Sequence, residues 1–336
     1  MPNRAIRCRG TPCTTNSSMF RTIAHRAAPF TRAVERSAVP GTPSHRFSQT
    51  MIQSRLIFGR PRPLRSIVAG PHASQYAREE LVLRVSRSVQ LRGWAARPIG
   101  RGPRSALIYF GGRNENVAWA TGISTYLKST SVFCFAYRGR SGSGGRAGER
   151  HAVADAHAIY AFVRQKEANL LSSVAVMGRS LGTGVAIPLA AAVRPQHLVL
   201  VSPFDSLSRV IARTTWLRPL VPFLRHRFDS EVIAPGIQCP ALVLLAENDD
   251  EIPHDHSIRL ARLLGGPVRL QTVSATTHRS LVRSTVALRQ VAAFLHGDCA
   301  KTTASGQSSF AGALDTTHHF GTALQAPRSG DASNAA

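Results

Sequence analysis

The chain has 336 residues, of which 43% are hydrophobic and 18% are charged, so it can bury a large core in one domain or in two small ones. Its net charge of +24 would suit acidic lipids or nucleic acid as partners. No motif that mixes aromatic and basic residues is present, so we expect no nucleic-acid partner. The five cysteines lack CxxC or Cys/His ligand spacing, which argues against a disulfide framework and against a metal site.

The N-terminal stretch is strongly basic. Residues 1–78 contain thirteen Arg and one acid, Glu35, with no apolar run that would make a secretory signal. This composition resembles a transit peptide, and the alternative is a start codon assigned too early, with Met19 or Met51 as the true start. Either way, we expect residues 1–75 to be a basic, disordered extension. No apolar run reaches about 18 residues, so we predict no membrane-spanning helix and a cytoplasmic protein, with organellar import or peripheral membrane association as alternatives.

From residue 79 onward the chain alternates between apolar strand patterns and helical patterns. An opening hairpin is predicted at Leu81–Val85 and Val89–Trp94, where apolar residues alternate with polar ones. Most of the later runs are continuously apolar, as is typical of buried parallel strands, and helical patterns separate them. The predicted strands are Ala106–Phe110, Ser131–Ala136, Ser173–Met177, His197–Val201, Ala241–Ala246 and Val268–Val273, and the predicted helices lie at about 115–128, 149–166, 181–193 and 281–296.

This alternation predicts an α/β fold whose sheet is mainly parallel and doubly wound, spanning residues 79–297. The segment 204–237 interrupts the alternation and contains short helical patterns, so we predict that it forms a small cap over the carboxyl edge of the sheet. After Gly297 the composition is rich in Ser, Thr and Ala, and we expect a disordered tail at residues 298–336.

The strongest chemical signal is a GxSxG string, Met177-Gly-Arg-Ser-Leu-Gly182. A nucleophilic serine must project from a strained turn between a strand and a helix, and glycines two residues before and after it remove side chains that would collide there. The string alone is weak evidence, but here it follows an apolar strand directly and precedes a helix directly. We therefore predict that Ser180 is a nucleophile. An ordinary glycine-rich turn is the alternative, and the GxGxxG order of a dinucleotide site is absent.

A nucleophilic serine needs a histidine base, and that histidine needs a carboxylate to orient it. On this fold the chain order is Ser, then acid, then His, each on a loop after a strand. Asp249 follows the strand 241–246 and is our candidate acid, with Asp250 as its rival. His278 follows the last strand in a polar turn and is the candidate base. The remaining histidines nearby, His254, His256 and His296, lie too close to the acid loop or on the final helix.

Acyl transfer also requires donors for a developing oxyanion. The backbone N–H of Leu181, at the start of a helix, is one candidate. The second is expected in the loop after the first central strand, Phe110-Gly-Gly-Arg-Asn114, where glycines let the backbone approach a substrate. Arg113 N–H is our candidate there, and Asn114 N–H is the alternative.

Several motifs in this order resemble one branch of the α/β-hydrolase superfamily, the one that includes serine-aminopeptidase-like hydrolases and protein depalmitoylases. The resemblance covers roughly residues 80–297 and implies the α/β-hydrolase fold with a triad at Ser180, Asp249 and His278. Arg113 and Arg279 stand where relatives often have other residues, so a substrate preference does not transfer. The motifs are Val89-Gln-Leu-Arg-Gly-Trp94, Tyr109-Phe-Gly-Gly, Tyr137-Arg-Gly, Gly178-Arg-Ser-Leu-Gly-Thr-Gly184, Ser202-Pro-Phe-Asp-Ser-Leu207 and Asp249-x-x-Ile-Pro253.

Together these residues predict a serine hydrolase of the carboxylesterase or thioesterase kind, acting on a small-molecule or lipid-like acyl substrate without a cofactor or metal. Apolar residues of the predicted cap favour an acyl chain, although residues of this kind equally serve as packing; they are Trp216, Leu220, Phe223 and Leu224. An amide or peptide hydrolase with the same triad is one alternative, with Glu247, Asp250 or Glu251 binding the amine. A non-catalytic membrane-surface or interaction protein is another. The sequence does not predict an oligomeric state.

Overall fold

A computed structural model describes residues 53–59, 70–100, 102, 104–213 and 215–297. They form one eight-stranded sheet in the order β1-β2-β4-β3-β5-β6-β7-β8. The strands are β1 (Tyr76–Arg84), β2 (Gln90–Pro98), β3 (Arg104–Phe110), β4 (Thr130–Phe135), β5 (Leu171–Arg179), β6 (His197–Val201), β7 (Ala241–Asn248) and β8 (Val268–Thr277).

Strands β1 and β2 pair as an antiparallel hairpin, and β2 pairs antiparallel with β4. Every other neighbouring pair, from β4–β3 to β7–β8, is parallel. The sheet is therefore mixed and mainly parallel, which confirms the fold class that the sequence predicted. In such a sheet the carboxyl ends of β3, β5, β6, β7 and β8 lie along one edge, where ligand sites of open α/β sheets are found.

Helices cover both faces of the sheet. They are α1 (Glu149–Lys166), α2 (Thr183–Val193), α3 (Leu207–Ala212), α4 (Ser230–Ile233), α5 (His254–Leu263) and α6 (Thr285–His296), with further 3₁₀ turns at Val117–Tyr126, Thr215–Phe223, Ala234–Gly236 and Leu281–Arg283. Buried residues of α1, α2 and α5 pack on one face of the sheet. The 117–126 turns and α6 pack on the other face. The central strands, buried from both sides, are thus continuously apolar, as the sequence pattern indicated.

Some elements differ from the predictions in detail. The stretch predicted as a helix at about 115–128 is a run of 3₁₀ turns, Val117–Tyr126. Helix α5 was not predicted, because its buried face includes His256 and Ser257 and carries no long apolar stripe. The first strand begins at Tyr76, three residues before the predicted start of the domain.

Residues 53–59 lie in the stretch that the sequence assigned to the N-terminal extension, and here they are packed against the rest of the fold. Residues 53–58 are helical. The Phe58 ring is 3% exposed and makes edge contacts with Tyr137 and Phe228, with ring centroids 5.4 and 6.2 Å away. The remaining parts of the predicted extension and the predicted tail at 298–336 fall outside the described residues, apart from 70–75.

The segment 204–237, which we predicted to form a cap, contains α3, α4 and two of the 3₁₀ turns, and it lies between β6 and β7. It is tied to α1 at Glu149, whose carboxylate accepts hydrogen bonds from the backbone of Arg227 (2.9 Å) and Phe228 (3.0 Å). Phe223 is 65% exposed, so its ring faces solvent in this structure. The side chains of Trp216 and Leu220 lie outside the described part of the chain.

Candidate active site

Ser180 stands on the turn between β5 and α2. Its φ is +50°, a left-handed conformation that costs energy for any residue with a Cβ atom. The two glycines of the string are required by space. A Cβ on Gly178 would lie 2.6 Å from the carbonyl oxygen of Gly182, and a Cβ on Gly182 would lie 2.0 Å from that of Phe110. The strand, the turn and the helix are therefore packed so closely that only glycine fits at these two positions.

Asp249 and His278 meet at the same edge of the sheet. Asp249 follows β7, and His278 follows β8. The Nδ1 atom of His278 lies 2.9 Å from Oδ1 and 3.0 Å from Oδ2 of Asp249. Both side chains are almost fully buried, with 1% and 2% exposure. Asp250, the rival candidate, is exposed, so of the two acids it is Asp249 that the structure brings to the histidine.

The carboxylate of Asp249 is held by its own loop as well as by the histidine. Its Oδ1 accepts hydrogen bonds from the backbone N–H groups of Glu251 (3.1 Å) and Ile252 (2.7 Å). Burial raises the pKa of this carboxyl, but hydrogen bonds from His278 and Ile252 and the attraction of a charged imidazole outweigh it, so the pKa is lowered overall. Asp249 is therefore ionised at neutral pH, and its carboxylate accepts a hydrogen bond from the Nδ1–H of His278.

The loop after β3 is held at three of its four backbone positions. The carbonyl oxygen of Gly111 accepts a hydrogen bond from the Tyr137 hydroxyl at 2.8 Å. The N–H of Gly112 donates to the carboxylate of Glu115 at 2.5 Å, and the N–H of Asn114 donates to the carbonyl oxygen of Phe58 at 3.3 Å. In the part of the chain that the structure describes, the N–H of Arg113 has no such partner, which distinguishes Arg113 from its neighbour Asn114.

Arg179, the residue before Ser180, reaches the histidine loop. Its Nη2 donates to the backbone carbonyl oxygen of His278 at 2.8 Å, and its Nη1 lies 3.4 Å from Oε2 of Glu115. The sequence reasoning assigned no role to Arg179 or Glu115, because nothing in the spacing of a strand-end arginine and a loop glutamate shows that they meet.

The histidines that the sequence set aside have other partners. His256 pairs with the buried Asp205, with Nδ1 and Oδ1 2.7 Å apart. His254 Nε2 lies 2.6 Å from the carbonyl oxygen of Ala246. His296 accepts a hydrogen bond from the backbone N–H of Lys128 at 3.1 Å. His278 is therefore the histidine that faces the acid loop after β7.

The described ranges offer neither a metal site nor a membrane-spanning helix. No cluster of three or more His, Cys, Asp or Glu side chains there has the geometry to hold a metal ion. None of the helices described is both long enough and apolar enough to cross a bilayer.

Comparison with known proteins gives relatives over most of the folded part. No protein-family model matches the chain. An uncharacterized protein of Mycobacterium tuberculosis is 30% identical over 205 residues, which is 60% of this chain and 73% of the relative. The α/β hydrolase domain-containing protein aho-3 of Caenorhabditis elegans is 25% identical over 230 residues, 62% of this chain and 67% of aho-3. The lysophosphatidylserine lipase ABHD12 of Danio rerio is 30% identical over 140 residues, 36% of each chain.

Among solved structures, the esterase Pf2001 of Pyrococcus furiosus aligns with 71% of this chain and 98% of its own length, with a TM-score of 0.55 and 17% identity. That likeness concerns the fold. With the sheet order, the serine turn and the relatives taken together, the chain belongs to the α/β-hydrolase superfamily. Of the proteins named here, the zebrafish one is a lysophosphatidylserine lipase and the Pyrococcus furiosus one is an esterase.

Proposed function

We propose that this protein is a serine hydrolase that cleaves a carboxylic ester or thioester through an acyl-enzyme on Ser180. The observation that carries the proposal is the buried Asp249–His278 pair, whose histidine loop is bonded to the residue before Ser180 at 2.8 Å. A carboxylate, a histidine and a serine on a strained strand-to-helix turn are the three groups that acyl transfer requires.

In the first step His278 takes the proton of the Ser180 hydroxyl through Nε2 while the serine oxygen attacks the acyl carbon. Asp249, ionised because its pKa is lowered, keeps the second proton on Nδ1 and stabilises the imidazolium that forms. His278 then gives its proton to the departing alcohol or thiol, and the acyl group stays on Ser180. A water molecule, activated by the same histidine, releases the acid and restores the serine.

The negative charge on the substrate oxygen needs donors that are already in place. The N–H of Leu181, in the 3₁₀ turn Ser180–Gly182 directly after β5, is our first donor, since the first amides of a helix have no partner within the helix. The N–H of Arg113 is our second donor, since its neighbours Gly112 and Asn114 donate elsewhere. Removing one such donor typically costs a factor of about 10² to 10³ in kcat.

Two observations support an apolar or lipid-like acyl group. Ser180 is 9% exposed and His278 only 1%, so the reacting atoms sit in a site from which water is largely excluded. The zebrafish relative is a lysophosphatidylserine lipase, and the archaeal structure is an esterase. A site with so little exposure to water favours acyl chains over charged substrates.

The test compares p-nitrophenyl esters from acetyl to palmitoyl, and an acyl thioester, with wild type, Ser180→Ala and the control Ser172→Ala. Ser172 lies on the same strand, is exposed and is remote from the site. We expect Ser180→Ala to lose activity and fluorophosphonate labelling, with Ser172→Ala unchanged. If wild type neither labels nor cleaves any ester or thioester, the proposal is wrong.

An amide or peptide hydrolase is the second candidate, and one contact favours it. Oε2 of Glu251 lies 3.8 Å from Nε2 of His278, and a carboxylate this close to the histidine would suit the amine of an aminoacyl substrate. Glu251 also pairs with Arg279 at 3.1 Å, so an amine would have to compete for it. Turnover of aminoacyl p-nitroanilides that is lost in Glu251→Gln, with ester turnover retained, would favour this second candidate over the first.

A further inference from the structure

Glu115 is a buried carboxylate beside the candidate oxyanion loop, and four donors surround it. The Tyr109 hydroxyl and the Trp119 indole N–H each donate to Oε1 at 2.7 Å. The Gly112 N–H donates to Oε2 at 2.5 Å, and Arg179 Nη1 lies 3.4 Å from the same oxygen. The side chain is 7% exposed. Its acceptor sites are thus used by groups from β3, from the loop after β3, from the 117–126 turns and from the last residue of β5.

Arg179 joins this carboxylate to the histidine loop. It is 10% exposed on its side chain, and its Nη2 holds the carbonyl oxygen of His278 at 2.8 Å. The packing is close, because a Cβ on Gly112 would lie 2.6 Å from Arg179 Nη1. We call Glu115 and Arg179, with the backbone groups of Gly112 and His278 that they hold, the Glu115–Arg179 network.

Stability does not account for this arrangement. A buried ion pair pays a desolvation penalty that its attraction barely offsets, and apolar replacements are often as stable. What sets this pair apart is position. Glu115 accepts a hydrogen bond from Gly112, which precedes Arg113 in the chain. Arg179 directly precedes Ser180 and donates to the backbone carbonyl oxygen of His278.

We propose that Glu115 and Arg179 are positioning residues for the reaction, an inference that rests on the proposed function of Ser180. Glu115 fixes the peptide of Gly112, so that the next amide, Arg113 N–H, points at the oxyanion. Arg179 fixes the main chain of His278 relative to Ser180. Neither side chain touches the reacting atoms.

The proposal predicts which variants fail and in which parameter. In Glu115→Gln one carboxylate oxygen becomes an NH₂ group. If the amide oxygen keeps the donors on Tyr109 and Trp119, this NH₂ faces two other donors, Gly112 N–H and Arg179. The oxyanion loop must then shift. A displacement of about 1 Å can cost about 100-fold, and the loss falls on kcat because the transition state depends on these groups more than substrate binding does.

The experiment measures kcat, KM and the inhibition constant of an alkyl boronic acid for Glu115→Gln, Arg179→Met, Arg179→Lys and the double variant Glu115→Gln/Arg179→Met. Active sites are counted by fluorophosphonate titration, so that only folded, reactive enzyme enters kcat. We expect kcat to fall about 10- to 100-fold with KM changed less than about 3-fold, and the boronic acid to bind correspondingly more weakly. The double variant should lose little more than either single variant, since both break one network.

The matched control is Glu167→Gln. Glu167 is also a fully buried carboxylate, bonded to Arg97 at 2.7 Å, but it lies after α1 and away from the serine turn. We expect this variant to lower the unfolding midpoint and to leave kcat per titrated site unchanged. Arg179→Lys should recover part of the activity lost in Arg179→Met, since it restores a donor.

Two results overturn the inference. One is a kcat per titrated site that stays within about 3-fold of wild type in Glu115→Gln and Arg179→Met while only their unfolding midpoints fall. The other is a loss confined to KM. Both leave the serine hydrolase proposal standing. An unlabelled, inactive wild type would instead remove the proposed function, and this inference with it.

Discussion

The imidazole of His278 faces both carboxylate oxygens of Asp249, with Nδ1 2.9 and 3.0 Å from them, while the adjacent Asp250 is exposed. Asp249→Asn should therefore lower kcat about 10³- to 10⁴-fold, because an amide favours the wrong tautomer of the histidine. The size of that effect is the one known for other triads of this kind. Steady-state kinetics on a p-nitrophenyl ester measure it. Asp250→Asn is the control and should stay within a few-fold of wild type; equal losses in both variants would contradict the assignment.

The left-handed backbone conformation of Ser180 should lower the free energy of unfolding of the protein, because a residue with a Cβ atom is strained there. Glycine adopts φ near +50° without steric cost, whereas alanine keeps the clash of its Cβ. Ser180→Gly should therefore unfold with a free energy about 1 kcal/mol higher than Ser180→Ala, although both lack the hydroxyl and both are inactive. Urea denaturation of the two variants checks this. Equal stabilities would mean that the turn is unstrained.

Gly182 has no room for a side chain. Its Cβ would lie 2.0 Å from the carbonyl oxygen of Phe110 and 2.8 Å from that of Gly111. Gly182→Ala should lower the free energy of unfolding by about 1–3 kcal/mol or more and also lower kcat, because the loop that holds Arg113 must move. Gly236→Ala is the control, since no atom lies within 4 Å of its Cβ and its φ is not positive. Thermal and urea unfolding of both variants give the comparison, and equal effects would refute the crowding argument.

His226 predicts a pH dependence for the packing of residues 53–59. Burial, with the nearby charges of Arg225 and His151, lowers the pKa of this imidazole. Its Nε2 lies 3.1 Å from the Ser54 hydroxyl, and its Nδ1 accepts from the Glu149 N–H at 3.3 Å. A histidine whose folded pKa lies below the unfolded value of about 6.5 stabilises the folded state above that pH, and the stabilisation is lost as the pH falls through the folded pKa.

Hydrogen exchange of residues 53–59 should therefore speed up as the pH falls below about 6.5, once corrected for the intrinsic pH dependence of exchange. His226→Gln removes the titration and should flatten this dependence relative to wild type. If wild type and His226→Gln respond identically to pH, another group is responsible.

Much of the fold could be predicted because the central strands are buried on both faces. His197–Val201 and the helix Glu149–Lys166 have the predicted bounds, since an unbroken apolar run and a clear amphipathic period leave little choice. The region 117–126 was harder. Nine of its ten residues are buried, so polar residues do not recur along one face with a helical period. The sequence pattern therefore cannot distinguish 3₁₀ turns from an α-helix.

The candidate site divides in the same way. The serine turn is local, and its glycines and flanking elements can be predicted from neighbouring residues. The contact between Asp249 and His278 joins two loops 29 residues apart, and it was predicted from chain order, from the position of each residue after a strand and from the family resemblance. Glu115 and Arg179 meet across 64 residues through side chains that obey no periodic rule. Such contacts cannot be predicted from the sequence, because the partners of long side chains depend on how distant parts of the backbone pack together.

Residues 53–59 also bear on how the protein should be produced for study. Phe58 fills a socket between Tyr137 and Phe228, and the following residue, Gly59, touches the Asn114 side chain so tightly that no Cβ fits. A recombinant form that begins at the first strand, at Tyr76, would lack Phe58 and would expose the rings of Tyr137 and Phe228 to water. Apolar surface exposed in this way invites self-association. Poor solubility of such a shortened form would therefore reflect the missing segment rather than an unstable hydrolase fold.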